Sequence, residues 1–138
     1  MQTILHILRL AGNYKPDLHL RIENPPYLPL VIEATPEPGP QGYPGLSVAH
    51  YGDLNSDRMR DPEMVFELTG EAFNLALDPF YWRNDYLGVE QYSRSLERGK
   101  YVVLPRLYEQ HRGFALDWDR VLSMQGFLAA FQRGRAKP

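Results

Sequence analysis

The chain has 138 residues, 43% hydrophobic and 23% charged, with 15 Lys+Arg against 17 Asp+Glu, the balance of one soluble domain rather than two. Cysteine is absent, which excludes disulfides, thiolate zinc sites and a cysteine nucleophile and agrees with a reducing, cytoplasmic setting. The apolar opening MQTILHILRL lacks a basic leader and a cleavage site, and no apolar run approaches about 18 residues, so neither a signal peptide nor a membrane span is expected.

The charge is unevenly spread. Residues 53 to 90 hold 3 basic against 9 acidic side chains, and residues 91 to 138 hold 9 against 4. The basic third could meet phosphate. Its arginines alternate with Glu97 and Glu109, however, which describes a solvated helix face better than a nucleic-acid footprint, and the acidic middle opposes phosphate further.

In chain order, Thr3 is placed to cap a first helix with Ile4, Leu5, Ile7, Leu8 and Ala11 on one face, stopped by Gly12-Asn13. Leu18, Leu20 and Ile22 alternate with His19, Arg21 and Glu23, the period of a half-buried strand. After the turn Asn24-Pro25-Pro26, a second strand is expected through Leu28, Leu30 and Ile32 to Ala34, forming an antiparallel hairpin with the first. The segment TPEPGPQGYPG, residues 35 to 45, has four prolines and three glycines and is read as an exposed loop. A third strand places Leu46, Val48 and His50 on one face and Ser47, Ala49 and Tyr51 on the other. A fourth starts at Glu63 and carries Met64, Phe66 and Leu68, with a long polar connection between them.

Residues 71 to 79 admit no assignment, and the aromatic run 80 to 92 suits a fifth strand with a bulge at Gly88. Pro105 opens a final helical region in which Leu107, Phe114, Trp118, Val121 and Met124 or Gln125 form the core stripe. The expected fold is α+β: an N-terminal helix, an antiparallel sheet of four or five mainly consecutive strands, and C-terminal helices on one sheet face. It spans residues 1 to 132, and the basic tail 133 to 138 is expected to be disordered.

The densest polar segment is HYGDLNSDRMRDPE, residues 50 to 63. Asp53, Asn55 and Asp57 resemble the opening of a calcium loop. Arg58 stands where that loop needs glycine and Met64 where it needs a bidentate glutamate, so no metal site is assigned and no cofactor is implied. A catalytic reading uses His50 as base or acid with Asp57, Asp61 or Glu63, but no nucleophile accompanies them. A structural reading has the Asp and Asn side chains bonding the local backbone, with Arg58 and Arg60 offsetting the acids.

The stretch SVAHYGDLNSDRMRDPEMVFEL, with YWRNDYLGVEQY and FALDWDRVLSMQGF, resembles an uncharacterised domain family of bacterial plasmids, phages and integrative elements. Its signature runs SVAHYxxQNGDxMRDPEMxFE. His50, Tyr51, Asn55, Asp57, Asp61, Pro62 and Glu63 match it, whereas Leu54 and Ser56 replace its Gln and Gly. The resemblance implies a small cytoplasmic accessory protein of a mobile element. The leading expectation is a non-enzymatic module that binds a protein partner through Tyr51, Asn55, Arg83, Asn84, Asp85 and neighbouring aromatics, against a plainer reading of Arg83-Asn84-Asp85 as a surface strand with cross-strand ion pairs. Its alternatives are a small hydrolase built on His50 and the 53 to 63 acids, and a nucleic-acid binder using the basic C-terminal third.

Overall fold

The computed structural model describes residues 1–136. Its elements run α1 (Gln2–Leu10), β1 (His19–Ile22), β2 (Leu30–Ala34), β3 (Gly45–Leu54), β4 (Asp57–Thr69), β5 (Ala76–Asn84), β6 (Val89–Tyr92), β7 (Arg94–Glu97), β8 (Lys100–Val103), α2 (Pro105–Met124) and α3 (Phe127–Ala136). Strands β1 to β6 form one antiparallel meander in sequence order, and β7 and β8 form a separate hairpin. The fold is α+β as expected, with a six-stranded sheet in place of four or five strands. None of the described helices is long and apolar enough to cross a membrane.

One sheet face carries the core. Alternation turns Ile22, Leu30, Ile32, Leu46, Val48, Met64 and Phe66 toward the helices. They meet Ile4, Leu5, Ile7 and Leu8 of α1, Ala115, Trp118 and Leu122 of α2, and Phe127, Ala130 and Phe131 of α3. The stripe on α2 is rotated from the expected one. The residues turned inward are His111, Ala115, Trp118 and Leu122, while Val121 is 44% and Met124 81% exposed. A polar histidine takes an inward position because Ser93 Oγ and Gln91 Oε1 lie 2.8 and 3.1 Å from its ring nitrogens, which a hydropathy pattern cannot register. The first helix is also capped from a distance. Thr3 lies inside its first turn, and the Asp119 carboxylate of α2 accepts the Gln2 and Thr3 amides at 3.1 and 2.9 Å.

The polar connection expected between β3 and β4 is a two-residue turn. Asn55 and Ser56 both have positive φ, 51° and 71°, so the strands twist directly into each other and Leu54 pairs with Asp57. The run expected as one strand over 80 to 92 is two. β5 begins at Ala76 and runs through Pro79, where a bulge opposite β4 accommodates the proline, and β6 follows the turn 85 to 88. The expected tail is helical through Ala136, since Arg133 and Arg135 extend α3 and the Arg135 guanidinium donates to the Leu10 carbonyl and lies over Phe131. Residues 137 and 138 of that tail lie outside the described residues.

A buried ion pair organises the side of the sheet away from the helices. Glu67 of β4 is 0% and Arg94 of β7 2% exposed, with Oε1 and NH1 2.6 Å apart. Arg94 also donates to the Pro79 and Asp78 carbonyls and to the Tyr101 hydroxyl. The other Glu67 oxygen accepts the amides of Gln41 and Tyr43, fastening the proline-rich loop over the sheet. Any side chain at Gly39 would run into the Glu67 stem, so this close approach requires glycine.

Glu67→Ala leaves the buried Arg94 guanidinium with only the more distant Asp78 carboxylate, 3.4 Å away, and should cost about 2 to 4 kcal/mol in urea unfolding, with faster hydrogen exchange at Gln41 and Tyr43; unchanged exchange at those amides would contradict the role assigned to Glu67. Trp118→Ala, at the centre of the helix–sheet core, should cost about 3 to 5 kcal/mol as a large cavity, and a loss below about 1 kcal/mol would contradict this packing.

Candidate functional site

On the sheet face that none of the described helices covers, polar side chains of four strands come together. Strand parity puts Ser47 and Tyr51 of β3, Glu63 of β4, Tyr81 and Arg83 of β5, and Glu90 and Tyr92 of β6 on this side. Glu63 lies directly opposite Arg83, and Arg83 opposite Glu90, so cross-strand neighbours carry opposite charges. Ser47 Oγ donates to Glu63 at 2.6 Å, and the Arg60 guanidinium lies 3.4 Å from Glu63 and 3.7 Å from Asp85. Arg83 bridges Asp85 at 2.6 Å and Glu90 at 3.2 Å, and the Tyr81 hydroxyl donates to Glu90 at 2.7 Å.

This network fixes protonation states. Burial alone would raise the Asp85 carboxyl, but the Arg60 backbone amide and the Arg83 guanidinium outweigh it and hold the group below its ordinary range. Burial first, and then the Glu90 carboxylate, push the Tyr81 phenol upward, so it stays a donor. The side chains of Arg60 and Arg83 are each 34% exposed, so their worth lies in orientation more than in stability. Beside them Thr35 to Pro38, Val65, Phe80, Tyr81 and Tyr92 border a cavity of about 340 Å³. Tyr92 packs edge-on against Tyr81 and remains half exposed.

Of the residues expected to bind, Arg83 and Asp85 are in the network, and Tyr51 lies on the same face with the Arg58 guanidinium 3.9 Å from its ring centroid. Asn55 occupies the hairpin tip. Asn84 faces the helix side, where its Nδ2 donates to Asp61 at 2.8 Å and its Oδ1 accepts the Leu87 amide at 3.1 Å, closing the turn between β5 and β6. The catalytic candidates are similarly divided. Glu63 belongs to the open face, Asp57 ends the hairpin turn, and Asp61 holds Asn84.

His50 sits on the helix side between Trp118 and Phe127, at ring distances of 5.7 and 5.4 Å, and its Nδ1–H points at the Leu28 and Pro29 carbonyls at 3.2 and 3.4 Å. The arrangement thus separates His50 from Glu63 by a strand face. In the basic third, Arg94 is buried against Glu67 and Arg112 pairs with Glu109 at 3.2 Å.

Ser47 and Glu90 complete the network without having been named as site residues in the sequence, and Arg60, set there against the neighbouring acids, meets Glu63 and Asp85. Their signal was available in strand parity, because residues two apart share a face, but it becomes visible only once the register of β4 against β5 and β6 is fixed.

Burial pushes the imidazoles of His50 and His111 below the ordinary 6.5, against weaker opposing contacts at His50. The unfolded chain therefore takes up protons at higher pH than the folded one. The stability tied to the neutral rings is complete above 6.5 and is lost as pH falls below it toward the folded values. Urea midpoints should decline between about pH 7.5 and about pH 5.5, and decline less in His50→Gln/His111→Gln. An equal decline in parent and variant would refute this assignment.

Comparison with curated proteins and with solved structures finds no match. Comparison with protein families matches residues 2–128 to a domain of unknown function, DUF6908. Spanning α1 through the start of α3, that match covers the whole sheet and both sides of it, and the chain belongs to this family.

Proposed function

We propose that the protein is a non-enzymatic module that binds another protein through its helix-free sheet face. The observation that carries this reading is the pre-formed network of Arg60, Glu63, Arg83, Asp85 and Glu90 beside the cavity under the 35 to 38 loop. Side chains already held in place lose little freedom on contact, and a guanidinium with part of its surface exposed can add a bond to an incoming carboxylate or carbonyl. Tyr92, half exposed, and Tyr51, partly buried beneath the Arg58 guanidinium, supply aromatic area on the same surface.

The position of His50 supports binding over hydrolysis: its ring packs against aromatic side chains and Nδ1 is directed at backbone carbonyls, away from Glu63. Arg94 and Arg112, engaged with carboxylates, give no support to phosphate recognition by the basic third. The biological setting belongs to the same proposal. The signature over residues 47 to 68 suggests an accessory protein of a bacterial mobile element acting in the cytoplasm.

Arg83→Ala/Tyr92→Ala should unfold within about 1 kcal/mol of the parent, because both side chains are partly exposed. A partner recovered from the native host with the parent protein by crosslinking should be lost with this variant. Undiminished recovery at full stability would reject the helix-free face as the binding surface.

A further inference from the structure

On the helix-free face one donor is left over. The Ser47 and Tyr81 hydroxyls and the Arg83 guanidinium donate to Glu63, Asp85 and Glu90. The Arg60 side chain has no such bond among the described residues: its Nη1 stands 3.7 Å from Asp85, beyond hydrogen-bond reach, and its Nε, 3.4 Å from Glu63, is buried without a hydrogen-bond partner. An acceptor arriving at this guanidinium, whose side chain is 34% exposed, gains a charge-assisted bond that no described group supplies.

The surroundings select which acceptor. Arg60 lines the cavity of about 340 Å³ together with Pro36, Pro38, Val65, Phe80, Tyr81 and Tyr92, so apolar and aromatic surface flanks it. Three carboxylates, Glu63, Asp85 and Glu90, face two guanidinium groups in the network, and this excess opposes a further carboxylate. An ammonium would add donors to a face that already has one unmatched, and would approach Arg60 itself. A neutral carbonyl meets neither objection. The chain's own loop shows which apolar groups this face accepts, since Pro36 and Pro38 wall the cavity and Glu67 fastens the same loop through the Gln41 and Tyr43 amides.

Resting on the reading of this face as a protein-binding surface, we propose that its cavity takes a proline-rich segment of the partner in the polyproline conformation. The partner's proline rings pack against Phe80, Tyr81 and Tyr92 beside Pro36 and Pro38, and one of its carbonyls accepts from the Arg60 guanidinium. Such a segment suits a site that lacks an acceptor: its carbonyls carry no internal hydrogen bonds, and proline brings no N–H that would need a partner. Its conformation is preformed, so little freedom is lost on docking.

The test uses an end-blocked, fluorescently labelled peptide of about nine residues repeating Ala-Pro-Pro, titrated with the full chain and read by anisotropy. Saturable binding is expected, with a proline-free peptide of Ala, Gly and Ser of equal length binding about tenfold more weakly or not at all. Replacing the alanines by Glu should weaken binding, because the face already carries an excess of carboxylates. The Arg60 Nε–H resonance of the parent should shift as the peptide saturates it. Arg60→Lys keeps a positive charge between Glu63 and Asp85, loses the fork of donors and should weaken binding about tenfold; if it does not fold, the Arg60 resonance decides. The proposal is overturned by no saturable binding to the parent, equal binding of the proline-free peptide, equal or tighter binding of the Glu peptide, an unmoved Arg60 resonance at saturation, or undiminished binding in folded Arg60→Lys. Should the peptide fail while the crosslinked partner is still lost in Arg83→Ala/Tyr92→Ala, the proline chemistry falls and the helix-free face stands as the binding surface.

Discussion

The Glu67–Arg94 pair is the constraint around which the helix-free side of this protein is arranged. A carboxylate and a guanidinium taken out of water are costly unless their bonding capacity is met. Here two loop amides, two backbone carbonyls and a phenol complete the set. Those bonds connect the proline-rich loop, the middle of β4, the bulged start of β5 and the β7–β8 hairpin, segments far apart in sequence. Without the pair the loop would have little reason to lie against the sheet, because its prolines remove donors and its glycines contribute no apolar area. The cavity it borders would lose one wall.

The two faces of the sheet follow different physics. On the helix side, apolar residues from three helices and four strands form a continuous core, and the polar groups admitted to it find partners, except the Trp82 indole N–H, which is buried without one among the described residues. Asp119 satisfies α1 amides, His50 meets β2-side carbonyls, and His111 meets Ser93 and Gln91. On the open side, opposite charges alternate across neighbouring strands, two guanidinium groups against three carboxylates. Hydrogen bonds hold the carboxylates and the Arg83 guanidinium in place, and Arg60 is held by ion-pair contact with Glu63 and Asp85, while part of each arginine stays in solvent. That combination of order and partial exposure distinguishes the open face from an ordinary solvated strand surface.

The sequence by itself determined the α+β class, the N-terminal helix and its stop at Gly12-Asn13, and the alternation of β1 to β4, since these depend on residue spacing and turn chemistry within a few positions. It also placed Trp118 and Phe66 in the core and Glu63, Arg83 and Asp85 among the residues of interest. Tertiary structure decided the rest. The Asn55-Ser56 turn was hidden because its flanking strands are polar and carry no apolar alternation. The stripe on α2 was rotated by a histidine whose partners lie on β6 and just beyond it. Asp119 capped a helix more than a hundred residues away, and the site itself required the register of four strands. Local periodicity reports which way a side chain points along its own element. Which groups it meets there depends on long-range pairing, and the charges that make up this face acquire their roles only through that pairing.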